Sequence, residues 1–218
     1  VNVDTIANNV ANINTIGYKS QQASFKSLLY QNLQSTSTNN AGENKPVAAE
    51  VGLGSREAAI TSTFTQGNLT HVENPFSVAL EGDGFFQIRT ESGELQYTRD
   101  GSFEISPVAN GNMLCTSDGN PVLDAYGNQI ILPSNRVATD LVVNQDGTLA
   151  FPDGTGNPAV ITDANGRPVK FGIYQFNNPA GLSKEGSNNY SVTVASGAAV
   201  AENGNAAVKQ TKTHQYYT

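Results

Sequence analysis

Apolar residues near the start of the chain fall at Val3, Ile6, Val10 and Ile13, with steps of three, four and three. That spacing lays one stripe along one side of a helix. The positions between are mostly Asn and Thr, which are weak helix formers, and Gly17 ends the run as a left-handed cap would. Short isolated helices are marginal in water, so the stripe needs another helix to lean on. No second long helical pattern occurs in the chain, which places the expected partner outside this sequence or on another molecule. Residues 1 to about 16 are therefore expected to fray, or to repack on a neighbour. A second short helix is expected from Ser24 as cap, with Phe25, Leu28, Leu29 and Leu33 on one face.

Residues 35–44 carry no apolar periodicity and read as a loop. Beyond Val51 the period changes to two. Phe76, Val78 and Leu80 alternate with Ser77 and Ala79, as on a strand with one buried face. Phe85-Phe-Gln-Ile-Arg-Thr90, the turn Glu91-Ser-Gly-Glu94 and Leu95-Gln-Tyr97 predict a hairpin. Asp100-Gly101, Asp118-Gly119, Tyr126-Gly127, Asp146-Gly147 and Asp153-Gly154 punctuate the middle of the chain, because Gly and Asp tolerate positive φ. Between them lie short strands at Phe103 and Ile105, Gln129-Ile-Ile-Leu132 and Leu141-Val-Val143. Val169, Phe171 and Ile173 share one face, and Tyr190, Val192 and Val194 predict a further strand. Residues 195–207, rich in Gly and Ala, read as a flexible exit.

The expected fold class is mainly β: an antiparallel domain of many short strands and hairpins, with short N-terminal helical segments. The expected divisions are a helical assembly segment at 1–34, a linker loop at 35–55, a β-rich domain at 56–200 and an extended segment at 201–218.

Composition narrows the function. Twelve Lys and Arg stand against 19 Asp and Glu, a net charge of −7, which argues against a nucleic-acid binder with its basic face. No apolar run approaches the ~20 residues of a spanning helix, so no membrane insertion is expected. Cys115 is the single cysteine, which excludes an intrachain disulfide and reads as a small buried hydrophobe. Asp163-Ala-Asn-Gly166 is only a fragment of a calcium loop, and the Asp-Gly repeats read as turns. Arg99-Asp100 reads as a turn with an exposed ion pair. His71 has no nucleophile nearby, and neither a Gly-x-Ser-x-Gly elbow nor a phosphate loop occurs. No catalytic, cofactor or metal residue is assigned, and no cofactor is expected.

Several stretches, in order, resemble one family. Ala7-Asn-Asn-Val-Ala-Asn-Ile-Asn-Thr-Ile-Gly-Tyr-Lys19 is similar to the N-terminal signature of the bacterial flagellar basal-body rod and hook proteins. Gln66-Gly-Asn-Leu69 with Leu80-Glu-Gly-Asp-Gly-Phe-Phe86 resembles the next block, and Tyr97-Thr-Arg-Asp-Gly-Ser-Phe103 the most specific one. Phe176-Asn-Asn-Pro-Ala-Gly-Leu182, Gly186-Ser-Asn-Asn-Tyr190 and Ser196-Gly197 fit the late segment. The resemblance implies a non-enzymatic axial subunit, exported by the flagellar type III apparatus without a cleaved signal. It further implies self-association, and association with other rod and hook subunits, through paired terminal helices. Length, once short missing helices are restored, resembles a rod subunit more than a longer hook subunit. The distal-rod type is the preferred member, with proximal-rod and hook subunits as alternatives. Lys209-Gln210 fits the start of the family's closing Gln-Gly-x-Leu-Glu-x-Ser-Asn-Val stretch, but residues 211–218 depart from it, so a trimmed chain is expected. The expected assembly residues are Val3, Ile6, Val10 and Ile13 as seam, with Asn8, Asn9 and Asn12 bonding at subunit contacts. The rival class is a secreted β-rich glycan-binding or adhesin module, and an enzyme ranks third.

Overall fold

The computed structural model describes residues 1–34, 49–70, 72–153, 158–202 and 207–210. Most of the expected linker, His71 and the segment 211–218 lie outside the described residues. The chain divides into two compact units, Val1–Ile13 with Ser20–Thr63, and Asn14–Lys19 with Phe64–Thr218.

The first unit holds α1 (Asn2–Ala11), β1 (Gln21–Ser27), β2 (Tyr30–Gln34), β3 (Ala49–Gly52) and β4 (Ser55–Ser62). The helix is formed over Asn2–Ala11 rather than frayed. Where a second helix was expected, Gln21–Ser27 and Tyr30–Gln34 are strands. β1 runs antiparallel to β4 from Gln21↔Ser62 to Ser27↔Ser55, with a bulge between Ser24 and Phe25, and β2 pairs with β3. A ladder with a distant segment supplies the backbone partners here and outweighs a four-residue apolar pattern of low helix propensity. The same ladder ties residues 55–62 to this unit, so the division falls at Thr63 rather than at 56.

The second unit is built from short strands. β5 (Val78–Glu81), β6 (Phe85–Arg89), β7 (Leu95–Thr98), β8 (Glu104–Val108) and β9 (Gly111–Cys115) come first. They are followed by β10 (Ile131–Leu132), β11 (Val142–Val143), β12 (Leu149–Pro152), β13 (Pro158–Val160) and β14 (Ile173–Gln175). The last are β15 (Ser183–Gly186), β16 (Asn189–Ser191), β17 (Val200–Ala201) and β18 (Ala207–Gln210). A six-stranded antiparallel sheet runs β15-β16-β7-β6-β14-β17, beside the sheets β10-β9-β8 and β11-β12-β13 and the pair β18-β5.

β6 explains why the large sheet is covered on both faces. Successive strand side chains point to opposite faces. Phe86 and Ile88 enter the main core with Phe103, Leu114, Val122, Leu149, Phe171 and Val208. Phe85, one residue earlier, enters a second cluster with Tyr97, Phe176 and Tyr190. The rings of Phe86 and Phe103 meet edge-to-face at 5.1 Å, and those of Tyr97 and Phe176 at 5.0 Å, a geometry favoured by the ring quadrupoles.

The main core is closed by cycles of three backbone hydrogen bonds. Leu114 N–H donates to the Ile130 carbonyl, Ile130 to Val122 and Val122 to Leu114, at 3.0, 3.0 and 2.9 Å. Leu149, Ile161 and Val169 form a second cycle, and Gln87, Leu123 and Gly172 a third. Three chain segments thus satisfy one another's buried polar groups without a continuous flat sheet.

Among the described residues one turn recurs five times, starting at Thr90, Thr116, Asp124, Asn144 and Asp163. In each, the first residue donates its N–H to the carbonyl four residues on and accepts from the Gly three residues on. The first side chain completes the loop: Asp124 Oδ1 accepts Asn128 N–H at 2.8 Å, and Asp163 Oδ1 accepts Arg167 N–H at 2.9 Å. Gly127 sits at φ +83°, as the left-handed position of a three-residue bulged hairpin loop requires.

Two expectations at the end of the chain change. The Tyr190 strand stops at Ser191, and Val192 and Val194 are exposed. Thr193 and Ser196 turn the chain: Ser196 Oγ accepts Thr193 N–H, and Thr193 Oγ1 accepts the N–H groups of Ala195 and Ser196. Such local side-chain bonds compete with a sheet ladder. The expected flexible exit is partly ordered, since Val200–Ala201 pairs with β14 and Ala207–Gln210 with β5. Val208 is fully buried, and Gln210 donates to the carbonyls of Pro75 and Leu141 while accepting Val143 N–H.

Candidate assembly surface

α1 turns its small polar side inward. Thr5 is buried and its hydroxyl donates to the Val1 carbonyl at 3.0 Å. The apolar stripe faces water instead: Val3, Ile6, Val10 and Ile13 are 76, 55, 62 and 79 % exposed. An amphipathic helix normally buries that stripe.

The asparagines divide between roles. Asn9 holds both backbone groups of Gln21, donating to its carbonyl at 2.8 Å and accepting its N–H at 2.9 Å. Its amide thus binds the chain's own β1. Asn8 reaches the Gln21 side chain at 3.4 Å, and Asn12 donates to the Asn8 carbonyl at 2.9 Å. Asn12 is also the C-cap residue, and Gly17 is not the cap.

Gly17 has a different use, in the strap Asn14–Lys19, which packs with the β domain. It adopts φ +73°, and a Cβ added there meets the Asp100 Cα at 2.9 Å. Asn188 donates from Nδ2 to the Ile16 carbonyl at 2.8 Å. The Lys184 ammonium lies 4.7 Å from the centre of the Tyr18 ring, and Lys19 Nζ donates to the Thr65 carbonyl at 2.8 Å. Burial lowers the pKa of Lys184, and burial with the nearby Arg99 lowers that of Lys19. Tyr190 beneath is pushed up to about 12 by burial, then by Tyr18.

The expected exposed pair Arg99–Asp100 is not formed. The Arg99 side chain is almost wholly buried, donates to the Gly82 carbonyl at 2.9 Å and lies 5.4 Å over the Phe85 ring. Its acidic neighbour is the exposed Asp83 at 3.8 Å, a contact worth little. Asp100 is a turn residue that accepts Ser102 N–H. The strap, Asp100 and Asn188 were legible separately in three stretches, but no local spacing joins positions so far apart. Cys115 is buried, as its apolar neighbours suggested. Among the described residues no group of three or more His, Cys, Asp or Glu is placed to hold a metal ion. No helix among them is long and apolar enough to cross a membrane.

Two family models match these parts. The description "Flagella basal body rod protein" covers residues 1–19, the helix with its strap, and "Flagellar hook protein FlgE/F/G D1 domain" covers residues 79–151, most of the main core. The flagellar basal-body rod protein FlgG of Borreliella burgdorferi is 37% identical over 205 residues, covering 92% of this chain and 71% of that protein. The chain belongs to the FlgG family of flagellar basal-body rod proteins. The same-named proteins of Agrobacterium fabrum and Bacillus subtilis are 37% and 33% identical, covering 91% and 92% of this chain and 71% of each relative. Membership in the FlgG family sets the seam of α1 and the strap in a protein whose relatives are named as rod components.

Proposed function

We infer that this chain is a structural subunit of the flagellar basal-body rod, of the distal-rod type, located in the basal body. The observation that carries the reading is the exposed stripe Val3, Ile6, Val10 and Ile13 on a formed helix of a FlgG-family chain. Family membership leaves the glycan-binding and enzyme readings without support of their own.

Its action is assembly rather than chemistry. In the polymer the stripe is covered by a terminal helix of the same or a neighbouring subunit, releasing about 25 cal/mol per Å2 of apolar surface. Asn8, exposed on the helix, and Asn12, half-buried at its C-cap, contribute polar contacts there. Rod and hook subunits are the partners, reached through the export apparatus. The single buried cysteine leaves no intrachain disulfide to oppose unfolding during passage. Electron microscopy of basal bodies from a deletion strain tests the reading. Truncated or missing rods are expected, and rods of normal length overturn it.

A further inference from the structure

One face of the six-stranded sheet gathers cations around a buried tyrosine. Lys184 on β15 stands opposite Tyr190 on β16, and Tyr190 stands opposite Tyr97 on β7. Residues paired in this way project from the same side of a sheet. Arg99, two positions beyond Tyr97, lies over the Phe85 ring, which meets the Tyr190 ring at 5.8 Å. The half-buried Lys19 reaches the same region, since burial and then the Arg99 charge lower its pKa. Its neighbour Tyr18 carries the Lys184 ammonium 4.7 Å from the centre of its ring. All of these residues belong to the unit of Asn14–Lys19 and Phe64–Thr218.

Two buried polar atoms in this region have no hydrogen-bond partner among the described residues: Arg99 Nε and Tyr190 Oη. The Arg99 side chain is 7 % exposed and Tyr190 1 % exposed. A buried donor without an acceptor is costly, and a charged one more so. Asp83, 3.8 Å from Arg99 Nη2, is 94 % exposed and offsets little of that charge. Burial, then Tyr18, pushes Tyr190 up to about 12 against the opposing Arg99 charge, so the phenol keeps its proton and can donate. A guanidinium and an ammonium group donate and cannot accept. The groups gathered here thus call for an acceptor that carries negative charge.

We propose that Arg99 and Tyr190, with Lys19 and Lys184 at the rim, form a binding site for one small oxyanion of the phosphate or sulfate class. The oxyanion accepts from Arg99 Nε and Tyr190 Oη, and the two ammonium groups balance its charge. The chain as a whole carries a net charge of −7, yet three of its twelve Lys and Arg gather here. The attraction is therefore local, on a surface that otherwise repels anions. The site is complete within one chain and does not depend on assembly.

The test titrates the full chain with inorganic phosphate, with chloride at equal ionic strength as the control. Urea unfolding followed by tyrosine fluorescence reads stability, and calorimetry reads binding. The folded-to-unfolded ratio is expected to rise about tenfold when phosphate reaches about ten times its dissociation constant. Tyr190→Phe keeps the ring and removes the hydroxyl, and Lys184→Gln alters an exposed side chain. Each is expected to weaken phosphate binding about tenfold. Arg99→Gln is expected to abolish it, and should that variant fail to fold, the other two still decide. Absence of saturable phosphate binding overturns the proposal. So does phosphate affinity that is unchanged in both Tyr190→Phe and Lys184→Gln. A gain in stability that grows without saturation and is equal in all variants is the general effect of a kosmotropic salt, and overturns it too.

Discussion

The two units of this chain solve the burial problem in opposite ways. The β domain covers a sheet on both faces and encloses two clusters of apolar side chains. The unit of α1 and its ribbons shows most of its large apolar residues to water, among them Ile6, Val10, Phe25, Leu29 and Ile60. Two-stranded ribbons and a ten-residue helix are each marginal alone. What holds the helix to its ribbon is polar: Asn9 gripping both backbone groups of Gln21. One unit buries its apolar side chains when the chain folds, and the other leaves most of its own exposed.

The contrast breaks most visibly in the core. Phe86→Ala removes a fully buried ring from between Phe103 and Phe171 and is expected to cost about 3–5 kcal/mol. Chemical denaturation followed by tyrosine fluorescence reads it. A loss below that of an ordinary surface change would mean that the β domain is not the independently stable unit.

Asn9→Ala sharpens the other side. Two hydrogen bonds to Gln21 disappear, at about 0.5–1.5 kcal/mol each. Faster amide exchange is expected within residues 2–27, with none in β6. Spread of the effect to Phe86 would merge the two units into one.

Ile6→Ser is the mirror image of the core variant. The side chain is already 55 % exposed, so stability of the isolated chain should move by no more than about 0.5 kcal/mol. Motility of complemented cells should fail nonetheless. A swimming strain would show that the stripe is not covered in the rod.

The smallest effect is acid dependence. Asp163 has a lowered pKa, chiefly from Arg167 N–H and then from the Arg167 guanidinium and Asn165 N–H, against a partial opposing cost of burial. A depressed carboxyl favours the fold above the unfolded value, about 3.9, and that contribution is lost as pH falls through the lower folded value. The Asp163 carboxyl should titrate below its ordinary range by NMR. Asp163→Asn should flatten the acid end of the melting profile in the β domain while leaving α1 unaffected.

Much of the β domain is local, and therefore legible. Val78 and Leu80 are buried as their alternation required, and Phe85 through Tyr97 form the expected hairpin. The Gly-bearing turns recur because φ preference and an Asp, Asn or Thr side chain act within five residues. The apolar stripe of α1 is local as well, and among the described residues no other α-helix lies over it.

The mainly β class, the turns and the stripe came from the sequence alone, because each depends on neighbours a few residues apart. Tertiary structure decided the rest. Gln21–Ser27 became a strand because Ser55–Ser62 lies beside it, against a helical spacing that propensity supported only weakly. The three-bond cycles, the core position of Val208 and the seat of the strap against Asp100 and Asn188 join residues from 8 positions apart, as Leu114 and Val122, to 172 apart, as Ile16 and Asn188. Residue spacing carries no record of such meetings, because the backbone groups and small side chains that make them are chemically ordinary until the fold brings them together.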